Sequence, residues 1–184
     1  MPRRNKASKM PQIDGSKTSF LPQEQGYYEG ERLACFLKLI QREILSARIS
    51  DGNSFPEKIW LKQQFAIGVN DVTRVLERMS PIVGVGCSPQ QPHAFCSNHK
   101  GPSVSLQAIL VASDCNPRLL IKHLPSLASS KKVPLFFVND KKGGSLRLGE
   151  LVKLKTAIAI GVKVKGNSIN EIMEKILHGN EINS

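Results

Sequence analysis

The stretch GVNDVTRVLE, from Gly68 to Glu77, joins a polar turn directly to an amphipathic helix. Asn70 and Asp71 are good helix-capping residues, so we expect them to cap this helix, with Arg74 close by. The N-terminus of a helix offers unpaired N–H groups and a positive dipole end to an anion. The stretch therefore predicts an anion-binding helix mouth, although an ordinary N-cap on a surface helix also explains it. Apolar residues at helical spacing predict one buried face: Val72, Val75, Leu76 and Met79.

The whole chain is basic and poor in aromatic residues. Its 184 residues carry a formal net charge of +11, and 40% of them are hydrophobic, which is adequate for one core. A basic chain of this kind favours a polyanionic partner. Aromatic residues make up only 5%, which argues against stacking platforms for single strands. The composition favours recognition of a shaped RNA through its backbone and base edges.

The side-chain types at the helix mouth suit a guanine base. A carboxylate such as that of Asp71 accepts hydrogen bonds from the Watson–Crick donors of guanine. The side chains of Asn70 and Arg74 can meet its acceptors. These three residues are therefore candidate base-contacting residues.

Segments with helical and strand-like patterns alternate along the chain. The alternation predicts an α/β fold: a three-layer α/β/α sandwich with a mixed four-stranded sheet in a single domain. Residues 1–25 lack periodicity and predict a disordered basic tail. The domain is expected to cover residues 26–179, followed by a short tail at 180–184. The predicted strands are 65–67, 106–112, 133–138 and 157–162. The predicted helices are 28–48, 117–129, 146–153 and 167–177, together with one that Asn70 and Asp71 cap and that extends to Met79. The stretch EKIWLKQQ can add a short helical turn before the first strand.

A segment rich in Pro, Gly and Ser at residues 80–105 predicts a loop insert. It contains four possible zinc ligands, but their spacing matches no paired C-x-x-C pattern, so we expect a loop and keep a zinc site as the alternative. The cysteines of the chain show no paired spacing, and no apolar run has the length of a membrane segment. We expect a reduced, intracellular protein without a cofactor and without a membrane partner. The possible zinc ligands are Cys87, His93, Cys96 and His99.

The run Gly68-Val69-Asn70-Asp71-Val72-Thr73-Arg74 resembles the signature of the kink-turn RNA-binding ribosomal protein superfamily, in which Gly-x-Asn-Glu-x-Thr-Lys opens the RNA-contacting helix. Further fragments resemble the same family in order, which together cover residues 63–177. The phrase FAIGVNDVTRVLER further resembles the branch that serves as the thirty-eight-kilodalton protein subunit of ribonuclease P and ribonuclease MRP. The fragments are LQAILVASDCNP at 106–117, HLPSL at 123–127, KVPLFFV at 132–138, LGEL at 148–151 and AIAIG at 157–161.

The resemblance implies an RNA clamp with two halves. One half is the signature, which gives Gly68, Asn70, Asp71, Thr73 and Arg74 as RNA-binding residues. The other half is the loop before the last strand, which aligns with Leu154, Lys155 and Thr156. In this half Leu154 would pack on an extruded base, and Lys155 would meet phosphate. Asp71 replaces the usual Glu of the family and reaches one methylene less far.

The sequence lacks the G-x-S-x-G, G-x-x-x-x-G-K-[ST] and H-E-x-x-H motifs of common enzymes. We therefore expect a non-catalytic, RNA-binding subunit of a ribonucleoprotein. It would bind a structured RNA with a kink-turn, together with other protein subunits, in tRNA or rRNA processing. The basic start MPRRNKASK is consistent with the nucleus, and in particular the nucleolus. A ribosomal or small nucleolar particle, and a protein-interaction module of the same fold, remain open alternatives.

Overall fold

The computed structural model describes residues 26–52, 54–79 and 104–178. Within this part of the chain five strands form one mixed sheet, in the order β1-β4-β3-β5-β2. The strands β1 and β3 run parallel to β4, whereas β5 runs antiparallel to both β3 and β2. The strands are β1 (Gly26–Glu29), β2 (Phe65–Ile67), β3 (Leu106–Ala112), β4 (Leu135–Asn139) and β5 (Ala159–Lys163).

One face of the sheet is covered by α1 (Gly30–Ser50), α2 (Glu57–Gln64), α5 (Gly144–Leu151) and α6 (Ser168–Leu177). Successive side chains of a strand point to opposite faces, and the even-numbered strand residues Ala108, Leu110 and Ile160 pack on this side. The helices meet them with buried residues such as Phe36 of α1 and Met173 of α6. This face holds the larger of the two core layers.

The opposite face carries α3 (Val69–Arg78) and α4 (Leu124–Ser130), which a short 3-10 helix at Arg118–Ile121 precedes. Val72 and Leu76, which are fully buried, anchor α3 on the odd-numbered strand residues Ile109 and Val111. The helical spacing of the apolar residues in α3 thus produces the buried face that the sequence predicts. Two helix layers around one sheet confirm the predicted α/β/α sandwich.

The sheet differs from the prediction in having a fifth strand. Residues 26–29 form β1 at the sheet edge, where the sequence predicted the start of the first helix at residue 28. Tyr28 in this strand stacks on Phe36 of α1 with ring centroids 4.5 Å apart. It also meets Phe136 of β4 edge-on at 5.4 Å. The strand is therefore held by partners distant in sequence, which local periodicity does not reveal.

The single tryptophan, Trp60, is 2% exposed, and its indole Nε1 donates a 2.6 Å hydrogen bond to Asp51 Oδ2. It joins α2 to the end of α1 within the larger core layer.

No helix in the described ranges combines the length and the apolar character that a membrane crossing requires. The predicted N-terminal tail, the C-terminal tail and nearly all of the predicted insert lie outside the described residues, and so do Cys87, His93, Cys96 and His99.

Candidate RNA-binding surface

Gly68 is the N-cap of helix α3, which corrects the predicted capping by Asn70 and Asp71. Gly68 is the N-cap residue with φ +96°, and its carbonyl accepts the first helical hydrogen bond from Val72 N–H at 3.1 Å. A positive φ is readily adopted by glycine, so the N-cap is Gly68 and the first helical residue, Val69, precedes Asn70 by one residue. Asn70 and Asp71 thus lie in the first helical turn, and no side chain caps this end. Both residues are exposed.

The N-terminal turn of α3, residues 68–71, is called the helix mouth below. The loop before β5 lies beside it because β2 and β5 are antiparallel. Ile67 pairs with Ile160, and Gly68 N–H donates a 2.8 Å hydrogen bond to the carbonyl of Ala159. The end of β2 and the start of β5 are therefore neighbours, although about 90 residues separate them in the chain.

The loop before β5 contains Leu154, Lys155 and Thr156, and all three are exposed. Leu154 is 43% exposed, so its apolar side chain is accessible to a ligand. The start of β5, which follows this loop in the chain, lies beside the helix mouth through the hydrogen bond between Gly68 and Ala159. This surface combines unpaired helix N–H groups, polar side chains and one exposed apolar side chain, which is a suitable set for a nucleic acid.

Helix α5 fixes the loop through its backbone. Leu154 N–H donates to the Gly149 carbonyl at 2.9 Å, and Ala157 N–H donates to the Ser145 carbonyl at 2.9 Å. Gly149 is buried in α5, and an added Cβ there would come within 2.7 Å of the Thr156 backbone. This role of Gly149 was not predicted from the sequence. The signal was the glycine within the LGEL fragment, because a buried glycine inside a helix often marks a close backbone approach.

Asp114, at the end of β3, holds the start of α5. Its Oδ1 accepts a 2.9 Å hydrogen bond from Ser145 N–H, and its Oδ2 accepts one of 2.7 Å from the Ser145 hydroxyl. This carboxylate lies at the N-terminus of α5, where the helix dipole favours negative charge. Asp114 therefore links the sheet to the helix that carries the loop. Sequence reasoning gave it no binding role, and its contacts are structural.

Thr73 differs from the other signature residues. Its hydroxyl lies 2.7 Å from His123 Nε2, just before α4, and its side chain is only partly exposed. The predicted RNA-binding residue Thr73 thus joins α3 to the start of α4, one turn away from the mouth. The HLPSL fragment supplies the partner, but a contact between residues 73 and 123 leaves no trace in local sequence patterns.

The charges at the helix mouth are arranged around Asp71. Arg74 Nη1 lies 3.6 Å from Asp71 Oδ1, and both side chains are more than half exposed. Asp71 also acts on Lys163, at the end of β5. Burial and the charge of Lys165 lower the pKa of the Lys163 ammonium, and the Asp71 carboxylate partly offsets this. The Asp71 carboxylate therefore interacts electrostatically with Arg74 on α3 and with Lys163 on β5.

Within the described ranges, no group of three or more His, Cys, Asp or Glu side chains is arranged to hold a metal ion.

Residues 103–172 match the model of the Ribosomal protein L7Ae/L30e/S12e/Gadd45 family. This segment includes the loop before β5 but not the helix mouth. Among solved structures, the 15.5kD RNA binding protein of Giardia lamblia is similar with a TM-score of 0.53 and 14% identity. The similarity covers 86% of this chain and 95% of that chain. The chain therefore contains, over residues 103–172, a segment that matches this family, on a fold that it shares with an RNA-binding protein.

Proposed function

We propose that this protein is a non-catalytic RNA-binding subunit of a ribonucleoprotein and that it recognises a kink-turn with tandem G·A pairs. The observation that carries the proposal is the hydrogen bond from Gly68 N–H to the Ala159 carbonyl. It brings the helix mouth and the loop before β5 together at the sheet edge. The family match over residues 103–172 and the RNA-binding relative of the same fold support RNA as the partner.

The helix mouth would read a guanine. The Asp71 carboxylate accepts from the guanine Watson–Crick donors, while Asn70 offers an amide to an acceptor on the base. Arg74 is then drawn towards the RNA backbone, since its pairing with Asp71 at 3.6 Å is solvent-exposed and weak. The free N–H groups of the first turn face phosphate. Because aspartate is shorter than glutamate, the base must approach the helix more closely than in the family signature.

The loop before β5 would hold the kink from the other side. The exposed Leu154 packs on a base that the bend extrudes, and Lys155 meets phosphate. Thr156 lies over Gly149 and contributes its backbone to the shape of the loop. Thr73 acts indirectly in this proposal, because its hydroxyl holds α3 against the start of α4 through His123.

We place the protein in a particle of the ribonuclease P or ribonuclease MRP type, with other protein subunits, in tRNA or rRNA processing. The support is the phrase FAIGVNDVTRVLER, residues 65–78, which spans β2 and α3. The basic residues of the first 19 positions agree with a nuclear, nucleolar location. In such a particle the RNA performs the chemistry, and this subunit stabilises its bend. A ribosomal or small nucleolar particle would use the same surface.

A second candidate function is a protein-interaction module, and one observation favours it. A groove of about 680 Å³ lies beside α4 and is lined by Leu119, His123 and Leu127. Leu119 is 73% exposed. Exposed apolar residues in a groove can receive a protein segment. This candidate makes no use of Asn70 and Asp71.

The experiment is to recover the tagged full chain from cells and to sequence the RNA that remains bound. A chain with Asn70→Ala and Asp71→Ala is the matched control, since neither side chain caps the helix. We expect the wild type to enrich one or a few RNAs that contain tandem G·A pairs, and the control to lose them. Equal enrichment by both chains would reject the helix mouth as the RNA site and favour the protein-interaction module.

A further inference from the structure

Three lysine residues are neighbours along the backbone where β5 ends beside the start of β2. Lys163 ends β5, and its Nζ donates a 2.6 Å hydrogen bond to the carbonyl of Lys62 in α2. Lys165 follows two residues later, and its side chain is exposed. The register between Phe65 and Val162 explains why they are neighbours, because the end of β5 lies beside the start of β2. We call Lys62, Lys163 and Lys165 the lysine ledge.

The backbone of the lysine ledge is fixed by one buried side chain. Asn170 is 7% exposed, and its Oδ1 accepts hydrogen bonds from the N–H groups of Lys165 and Gly166, both at 2.8 Å. Its Nδ2 donates to the Lys163 carbonyl at 2.9 Å. The turn after β5 is therefore held in one conformation, so its lysine side chains start from fixed positions.

The charge of the lysine ledge is concentrated and only partly balanced. Lys163 and Lys165 lie two residues apart, and burial first and the charge of Lys165 second lower the pKa of the Lys163 ammonium. Asp71 of the helix mouth is the acidic group that acts on Lys163 in the opposite direction. Glu57, on the same helix as Lys62, is already paired with Arg48 at 2.8 Å. An added anion at the lysine ledge would therefore relieve repulsion between cations.

The helix mouth and the lysine ledge lie at opposite ends of β5. Ala159, next to the mouth, and Lys163 are the first and last residues of β5. Four steps of strand separate them, which corresponds to about 13 Å. A nucleic acid stem of a few base pairs spans this distance. A stem that leaves a kink at the mouth can thus reach the lysine ledge without any movement of the protein.

We infer that the lysine ledge binds the phosphate backbone of the RNA stem that leaves the kink, as a second contact outside the helix mouth and the loop before β5. The inference rests on the proposed function, because the mouth sets the direction of the stem. Lysine suits this task since a compact ammonium binds phosphate without the planar geometry that arginine imposes. The contact adds affinity and fixes orientation without reading sequence.

The test compares two doubly substituted full chains with the wild type. Lys62→Gln with Lys165→Gln removes two charges from the lysine ledge and leaves the hydrogen bond from Lys163 to the Lys62 carbonyl in place. Lys38→Gln with Lys175→Gln removes two exposed charges from α1 and α6. The salt dependence of binding is measured for a kink-turn RNA with long stems and for one whose stems are cut to the pairs around the kink.

On the long-stemmed RNA we expect the ledge variant to lower the slope of log Kd against log salt by about two, and the α1/α6 variant to leave it unchanged. On the shortened RNA both variants should match the wild type. Equal slopes for the two variants on long-stemmed RNA would overturn the inference. Binding of polyglutamate, which represents an acidic protein, is measured for the same chains. If the ledge variant loses the binding of polyglutamate and keeps the wild-type slope on RNA, the ledge serves an acidic protein and the inference is wrong.

The proposed function fails in a different way. In that case the wild type would bind the kinked RNA no better than an RNA with Watson–Crick pairs in place of the G·A pairs. The ledge variant still decides the inference in this situation, because its slope on the stem is measured against the same wild type. A lower slope supports phosphate binding at the ledge, and an unchanged slope rejects it.

Discussion

Gly149 lies directly against Thr156: a Cβ on Gly149 would stand 2.7 Å from both the N and the Cα of Thr156. It would also meet the Leu154 carbonyl at 2.8 Å. All three atoms belong to the backbone, so they cannot move aside as a flexible side chain does. The absence of a side chain at residue 149 therefore sets how closely the loop before β5 packs on α5.

Gly149→Ala should displace this loop and weaken the binding of kinked RNA by at least ten-fold. Overpacking of this kind typically destabilises a fold by about 1–3 kcal/mol, so the free energy of unfolding should fall as well. Gly161→Ala is the control, because its Cβ would come within 2.9 Å of the Leu106 side chain and its nearest neighbours include no atom of the loop. We expect Gly161→Ala to lose stability and to keep RNA affinity once folded. A Gly149→Ala chain that binds like the wild type would show that the loop is not part of the site.

Asn70→Ala and Asp71→Ala should each weaken binding by about 1–3 kcal/mol, the value of a good base contact. Because neither side chain caps α3, the free energy of unfolding should change by less than about 0.5 kcal/mol. Glu77→Ala, an exposed acidic residue near the end of the same helix, is the control. It should leave both quantities unchanged. Chemical denaturation and a titration of labelled RNA provide the two measurements, and loss of stability without loss of affinity would contradict the account.

Arg74→Ala should reduce the slope of the salt dependence by about one, because it removes one cation beside the helix mouth. Arg42→Ala is closely matched, since Arg42 is also exposed on a helix and paired with one carboxylate, that of Glu43 at 3.1 Å. It lies on α1, on the other side of the sheet. The Arg42 variant should keep the slope of the wild type. Identical slopes for both variants would remove Arg74 from the proposed contact.

The stability of the fold should depend on pH through Asp140, in the turn after β4. The N–H of Lys142, 2.8 Å from Asp140 Oδ1, and the side chain of Arg147, 2.7 Å from Oδ2, lower the pKa of the Asp140 carboxyl. A lowered pKa means that the ionised form stabilises the fold. This stabilisation is complete above the unfolded pKa of about 3.9 and is lost as the pH falls through the lower folded pKa. Denaturant unfolding between about pH 5 and pH 2 should show a shallower loss of stability for Asp140→Asn than for the wild type.

Much of the fold follows from the sequence because its buried segments have clear periods. The spacing of Val72 and Leu76 predicts α3, and the apolar run from Leu106 to Ala112 predicts β3 with the bounds that the structure has. The strand β1 was missed because it has four residues and depends on Tyr28 packing against distant rings. Local patterns contain no information on such contacts.

The site was predictable in its residue types but not in its geometry. The prediction of a cap at Asn70 and Asp71 was wrong, because Gly68 adopts a positive φ and starts the helix earlier. The structure places Gly68 beside Ala159 at the start of β5, whereas Thr73 faces His123. The support that Gly149 gives to the loop depends on backbone atoms that approach within a few ångströms. Sequence patterns report side chains and their spacing, and they do not report such approaches.

The most direct measurement is the affinity of the wild-type chain for a kink-turn RNA and for the same RNA with its tandem G·A pairs replaced by Watson–Crick pairs, at one salt concentration. The account predicts that the wild type binds the kinked RNA at least about a hundred-fold more tightly, the value of two lost base contacts. It also predicts that the chain with Asn70→Ala and Asp71→Ala binds both RNAs equally weakly. Equal affinity of the wild type for the two RNAs would contradict recognition of a kinked RNA at the helix mouth.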